Sequence, residues 1–245
     1  MTTFVDPSSP HRLSPVSAPT LAESVAEAIR SSILSGRFAP GDRLVEAELA
    51  RELRVSRGPI REALALLGKD GIVVYEPRRG KFVQSFTPRL VDEVYSLRRL
   101  LEPYAVTRVV ETLSESGRDR LRAALGEIAA AARAGDEPLL AQADVAFHDL
   151  LYQLADHELL QRAWLENIAG KLRLMSNVTT ASLAELADAE RNHRLLLDPI
   201  MAGDVDAARR RLEEHIDDAW VLARAALASE PELARPELGS STVDS

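Results

Sequence analysis

Val55–Leu64, VSRGPIREAL, carries more structural information than any other segment of the chain. Ser56 is a good helix N-cap, Pro59 falls in the first turn where its missing N–H costs nothing, and Ile60, Ala63, Leu64 and Leu67 form an apolar stripe. That leaves Arg57 and Arg61 on the opposite face, near the helix N-terminus. Guanidinium groups placed there reach guanine edges or phosphates, so the segment reads as the second helix of a helix-turn-helix aimed at DNA.

The flanking sequence completes the unit. Thr20 and Glu23 form a capping box that opens a helix with Leu21, Val25, Ile29 and Ile33 on one face, closed by Gly36. A second helix, Glu46 to Leu53, turns Leu49 and Leu53 inward and passes by a tight turn into the recognition helix. After Gly71, the run VVYEPRRGKFV holds two β-rich segments around Pro77-Arg78-Arg79-Gly80, a hairpin with a basic tip. Three helices and this hairpin make a winged helix-turn-helix, its wing beside a phosphate backbone or minor groove.

Residues 20 to 84, with LARELRVSRGPIREALALLGKDGIV and then RRGKFV, resemble the N-terminal domain of GntR-type bacterial transcription regulators. The expected DNA-contact residues are Ser56, Arg57, Gly58 and Arg61 on the helix and Arg78, Arg79 and Gly80 on the wing. Three positions depart from the family pattern. Arg54 stands where Gly or Asn is usual, so a left-handed backbone there would be strained by about 1 kcal/mol. Gly58 replaces a common Thr and removes a hydroxyl that could bind phosphate. Ala47 stands where some members place a base-contacting Arg, which shifts base reading onto Arg57, Arg61 and the wing.

The 245 residues suffice for two modest domains with a real core. The absence of cysteine excludes disulfides and thiolate metal sites and is simplest in a reducing cytoplasm. No apolar run approaches a membrane span, so no membrane partner is expected. A net charge of −8 at first argues against nucleic acid, but residues 1–19 balance, residues 20–85 carry +2 and the remainder carries −10. The acidity thus belongs to the C-terminal part. Residues 1–19, rich in Pro and Ser and containing His11, read as a mobile arm, and 229–245 as a flexible tail.

Between Pro88 and Leu227 the pattern is helical throughout, with breaks that give six helices at roughly 89–114, 117–134, 137–155, 158–178, 182–202 and 204–228. The expected chain is therefore mainly α: a winged helix-turn-helix over 20–85 followed by an all-α antiparallel bundle over 86–228. This second region resembles the FCD ligand-sensing domain joined to many GntR winged helices, in its six-helix, VanR-like form.

Three histidines lie on stripes that should face the bundle core. His148 shares a helix face with Asp144, His193 lies in line with Leu197 and Ile200, and His215 with Leu212, Ala219 and Leu222. One inward histidine is more often a hydrogen-bonded core residue than a ligand. Three imidazoles and a carboxylate from three helices instead suit a divalent transition metal, zinc first, with nickel or manganese as alternatives. ADVAFHDLL, ERNHRLL and EEHIDDA also match the order and spacing of the metal-binding FCD pattern, which implies Asp144, His148, His193 and His215 as its ligands. His157, without stripe or partner, reads as a capping or surface residue.

A metal held by four protein ligands keeps positions open for an anion, and an arginine could complement a carboxylate there. Arg98 borders the apolar face of the first bundle helix, and RRLLE matches the family signature on that helix; Arg98 is then either an anion clamp or a surface partner of Glu102. Asn167, Lys171 and Arg173 are weaker candidates for an effector pocket.

The function expected is a DNA-binding regulator, a repressor as the resemblance implies, that senses a small organic acid. One small winged helix reads too few bases to select a genomic site, so a homodimer on an inverted-repeat operator is expected, with the Gln84–Arg89 segment linking wing to bundle. The competing class is a metal-dependent enzyme acting on a small carboxylate. For it the sequence offers no thiol, no glycine-rich phosphate loop and no carboxylate clearly free to act as base. A third possibility is a metal that only staples a dimerising bundle.

Overall fold

The computed structural model describes residues 19–178 and 183–229. Apart from Pro19 and Ser229, the expected arm and tail lie outside the described residues.

Helix α1 (Leu21–Leu34) opens on the capping box, Glu23 N–H donating to Thr20 Oγ1 (3.2 Å) and Thr20 N–H to Glu23 Oε2 (2.6 Å). Val25, Ile29 and Ile33 are buried; Leu21, at the first helical position, projects beyond the core and is exposed. Helix α2 (Glu46–Leu53) passes through a turn into α3 (Arg57–Lys69), which buries Ile60, Ala63, Leu64 and Leu67 as its stripe requires. Ser56 is the N-cap by backbone position, although its side chain makes no capping hydrogen bond. Arg54 closes α2 in the left-handed region, φ 55° and ψ 41°. Arg54→Gly is expected to stabilise the protein by about 0.5–1 kcal/mol, since relief of roughly 1–2 kcal/mol of strain exceeds glycine's extra unfolded-state entropy. The denaturant midpoint at constant m-value measures it.

Strands β1 (Val73–Glu76) and β2 (Gly80–Val83) pair antiparallel, with Val73 opposite Val83. The segment before α2 joins them: Leu44 N–H donates to Lys81 O (2.8 Å), Val83 N–H to Asp42 O (2.9 Å), and Arg43 bridges Phe82. Sequence reasoning missed this third wing segment because three residues carry no legible alternation. The link from wing to bundle is packed: Gln84 N–H donates to Ile72 O (2.8 Å), Phe86 is buried, and Thr87 caps the next helix through Leu90 N–H.

That helix, α4 (Pro88–Thr112), is followed by α5 (Glu115–Ala134), α6 (Glu137–Leu154), α7 (Glu158–Trp164), a π-helical turn (Leu165–Ala169), α8 (Gly170–Val178), α9 (Leu183–Ala202) and α10 (Val205–Ser229). Because α7, the π turn and α8 run on without a break, the described residues form the six helical rods the sequence implied. The rod α4 packs along α10, and α5 along α6 and α9. The acidic residues lie mainly outside, and one hydrophobic core runs from α1 through the linker into α10.

The two halves meet where α8 begins. A Cβ built on Gly170 would lie 1.7 Å from the Asp70 carbonyl oxygen at the end of the recognition helix, so only glycine permits this approach. Beside it, the Lys171 chain packs over Gly71 and its Nζ donates to Asn167 O (2.9 Å).

Candidate functional site

Three helices bring one cluster together. His148 and Asp144 project from α6, one turn apart; His193 comes from α9 and His215 from α10. One ligand atom from each lies within 4.8 Å of all the others. His148 is fully enclosed, whereas Asp144, His215 and the largely buried His193 border a cavity.

Second partners fix the direction of two rings. His193 Nδ1 stands 2.9 Å from Ala189 O, a group that only accepts, so Nδ1 carries the proton and a neutral ring presents a bare Nε2. That Nε2 is buried and has no hydrogen bond, although Asp144 Oδ1 is 3.0 Å away. His148 Nδ1 lies 2.8 Å from Glu102 Oε2, which turns its Nε2 toward the same centre, 3.2 Å from His215 Nε2. Electron pairs facing one another at these distances repel unless a cation lies between them. Zinc, about 2.0–2.2 Å from nitrogen and oxygen ligands, separates them by comparable distances. The donor set therefore fits a divalent metal, and Glu102 and Ala189 do what outer partners of ligating histidines do, fixing tautomer and orientation.

The electrostatics agree. Burial opposes ionisation of Asp144, yet His193, His148 and His215 outweigh it and hold the carboxyl well below its ordinary value. Burial, reinforced by the neighbouring imidazoles of His193 and His148, drives the His215 value well down and keeps that ring neutral, as ligation requires. Burial likewise opposes the Glu102 charge, but Arg98 and His148 bring its pKa to about 2.

Arg98 proves to be neither a surface residue nor free of Glu102. It is 2% exposed, its Nε donates to Glu102 Oε1 (2.6 Å), and Nη2 stands 3.3 Å from His148 Nε2. The guanidinium thus borders both the cluster and a cavity of about 230 Å³ that opens beside it. Sequence reasoning saw the Arg98–Glu102 spacing but not that Glu102 also supports His148. Tyr95, 5.2 Å beneath the Arg98 guanidinium and also on the cavity wall, was missed; its i−3 spacing from Arg98 was the available signal.

Three expected pocket residues lie elsewhere. Asn167 is exposed and donates to Ala163 O, Lys171 sits at the junction between the halves, and Arg173 pairs with Asp149. For Lys171 and Arg173 the π turn supplies the physical reason: one extra residue rotates everything after it by about 100°, so Leu172 and Ser176 line the cavity instead. His157 is the N-cap of α7, its Nδ1 accepting from Leu160 N–H (3.2 Å).

At the other end, Arg57, Gly58 and Arg61 are exposed at the start of α3, and Arg78 and Arg79 at the wing tip, where Arg78 and Gly80 have φ of 66° and 119°. Arg61 is engaged: Nε donates to Glu46 Oε2 (2.8 Å), and Lys81 approaches the same carboxylate at 3.5 Å. Arg79 pairs with Glu76 and lies over Phe82.

Residues 21–83 match the gntR family of bacterial regulatory proteins, and residues 93–218 match the FCD domain. The chain belongs to the GntR family, with an FCD domain. This GntR regulator is similar to the uncharacterized HTH-type transcriptional regulator YdhC of Bacillus subtilis, 30% identical over 190 residues covering 77% of this chain and 84% of the relative. It is also 30% identical over 199 residues to the gluconate operon transcriptional repressor of that organism, covering 79% and 81% of the two chains. Its structure is similar to that of a GntR transcriptional regulator from Rhodococcus sp. RHA1, with a TM-score of 0.73, 28% identity and coverage of 84% and 98%. These are transcriptional regulators and not enzymes, so the GntR regulator described here acts on transcription through its DNA-binding winged helix. No helix among the described residues is long and apolar enough to cross a membrane.

Proposed function

We propose that this regulator represses transcription as a dimer on an inverted-repeat operator and is switched by a small carboxylate bound beside a divalent metal, zinc first. The reading unit spans residues 20–85 and the sensing unit 86–228. The observation that carries this reading is the convergence of bare, oriented imidazole nitrogens and Asp144 on one point beside Arg98 and a cavity. Such a metal supplies a Lewis-acidic anchor for a carboxylate. Arg98, held by Glu102, adds donors on the cavity side. Repression follows the relative named as a gluconate operon repressor.

The lever between the units has two parts, the packed link from Gln84 to Arg89 and the contact of Gly170 with the end of the recognition helix. Leu172 and Ser176, two and six residues beyond Gly170, line the cavity, so one helix touches both ligand space and reader. A ligand shifts the two arrangements only by its differential affinity, and about 1–3 kcal/mol gives a 5- to 150-fold change in DNA binding. By linkage, operator DNA must change acid affinity by the same factor. Titration of acids into the zinc-loaded protein with and without operator is the test, and equal affinities would refute the switch.

DNA contact carries its own expectation. Arg57→Ala and Arg61→Ala should each cost about 1–3 kcal/mol of operator binding and relax base preference, whereas Arg79→Ala should weaken all sequences alike. Because Arg61 must leave Glu46 to reach a base, Glu46→Gln should tighten operator binding. Shift titrations at several salt concentrations on a pool-selected palindrome check these outcomes.

A further inference from the structure

We infer that the cavity beside the metal centre selects a monocarboxylate with an extended apolar body, and discriminates against polyhydroxylated acids and dicarboxylates. The inference rests on the metal-and-acid reading above and goes on to name the class of effector.

The cavity has a direction. Asp144 on α6 and His215 on α10 mark its metal end, and Glu137 and Ala226, on the same helices, its far end. Along α6 the separation from Asp144 to Glu137 corresponds to about 10 Å at 1.5 Å per residue. The space of about 230 Å³ is below the roughly 300–1,000 Å³ of sites for drug-sized ligands. It therefore suits a slim chain or a single ring.

The wall is apolar between those ends. Ala219, Ala223 and Ala226 recur on one face of α10, opposite Ala141 and Leu140 of α6, with Leu172 of α8 between them. The alanines create the slot, because any larger side chain at 219 or 223 would occupy it. Among the described residues, the polar side chains on the wall besides the centre and Arg98 are Tyr95, Ser176 and Glu137. An acid with a hydroxyl on every carbon would leave most of those hydroxyls without partners against alanine and leucine, an unfavourable burial. A second carboxylate at the far end of a chain ligand would meet Glu137, a like charge.

The experiment is calorimetric titration of full-length, zinc-loaded protein with acetate, hexanoate, adipate and gluconate. Each methylene buried is worth about fourfold in affinity, so hexanoate should bind at least tenfold more tightly than acetate, adipate or gluconate. Ala223→Leu should abolish the advantage of hexanoate while leaving zinc content and acetate binding unchanged, and Ala219→Val provides a smaller intrusion if the first variant folds poorly. Gluconate or adipate equal to hexanoate would overturn the inference with the metal-and-acid reading intact. Failure of every acid, acetate included, would overturn that reading and this inference with it.

Discussion

Glu102→Ala is expected to destabilise the metal-free protein by about 3–5 kcal/mol, the cost of leaving one member of a buried ion pair alone. Glu102 is 1% exposed and Arg98 2%, so solvent screens the pair little. The variant also strands the Nδ1–H of His148, whose orientation depends on that carboxylate. Glu102→Gln, which retains an acceptor, should lose less. Joint replacement by Arg98→Met and Glu102→Leu should recover most of the stability, because a buried pair is roughly neutral relative to apolar residues of similar volume. The pH dependence has a definite sign. The Glu102 pKa falls on folding from 4.5 to about 2, so its contribution is full above the unfolded value and is lost as pH falls through the folded one. Denaturant midpoints across that range provide the measurement, and a loss below about 1 kcal/mol at neutral pH would show that Arg98 finds another partner.

Zinc at a thousandfold excess over its dissociation constant should stabilise wild type by about 4 kcal/mol, or roughly 10 °C in melting temperature for a chain of this size. His193→Ala should lose most of that gain. His193 is itself buried, so its removal also leaves a cavity, and the informative quantity is each variant's difference with and without zinc. Asp144→Asn should retain packing and still lose most of the zinc response. A chelator should return wild type to the metal-free midpoint reversibly, and elemental analysis should give about one metal per chain. An unchanged midpoint with no bound metal would remove the centre.

The parts legible in the sequence were those written in local periodicity. The capping box at Thr20, the stripe from Ile60 to Leu67, the hairpin around Arg78 and the six helical rods each depend on neighbours within a turn or two. The metal-ligand candidates were legible because histidine is scarce and each fell on an inward stripe. What escaped detection depends on pairs distant in sequence: Glu102 beneath His148, Glu46 against Arg61, and the Arg43 segment along β2. Lys171 and Arg173 stand off the cavity wall for a reason that local spacing did not carry. Periodicity assumes a constant turn angle, and the π turn at Leu165–Ala169 breaks that assumption with no glycine or proline among its own residues.

The approach of Gly170 to Asp70 puts one point of the seam between winged helix and bundle in backbone-to-backbone contact. That point rejects bulk at position 170, while the seam around it is made by side chains, Lys171 over Gly71 and the buried Ile72 and Phe86. Exchange of either half for a relative's is therefore constrained at the joint. A winged helix transplanted from a relative would have to meet two conditions before it could seat on this bundle, a backbone free to approach position 170 and side chains that refill the shared core.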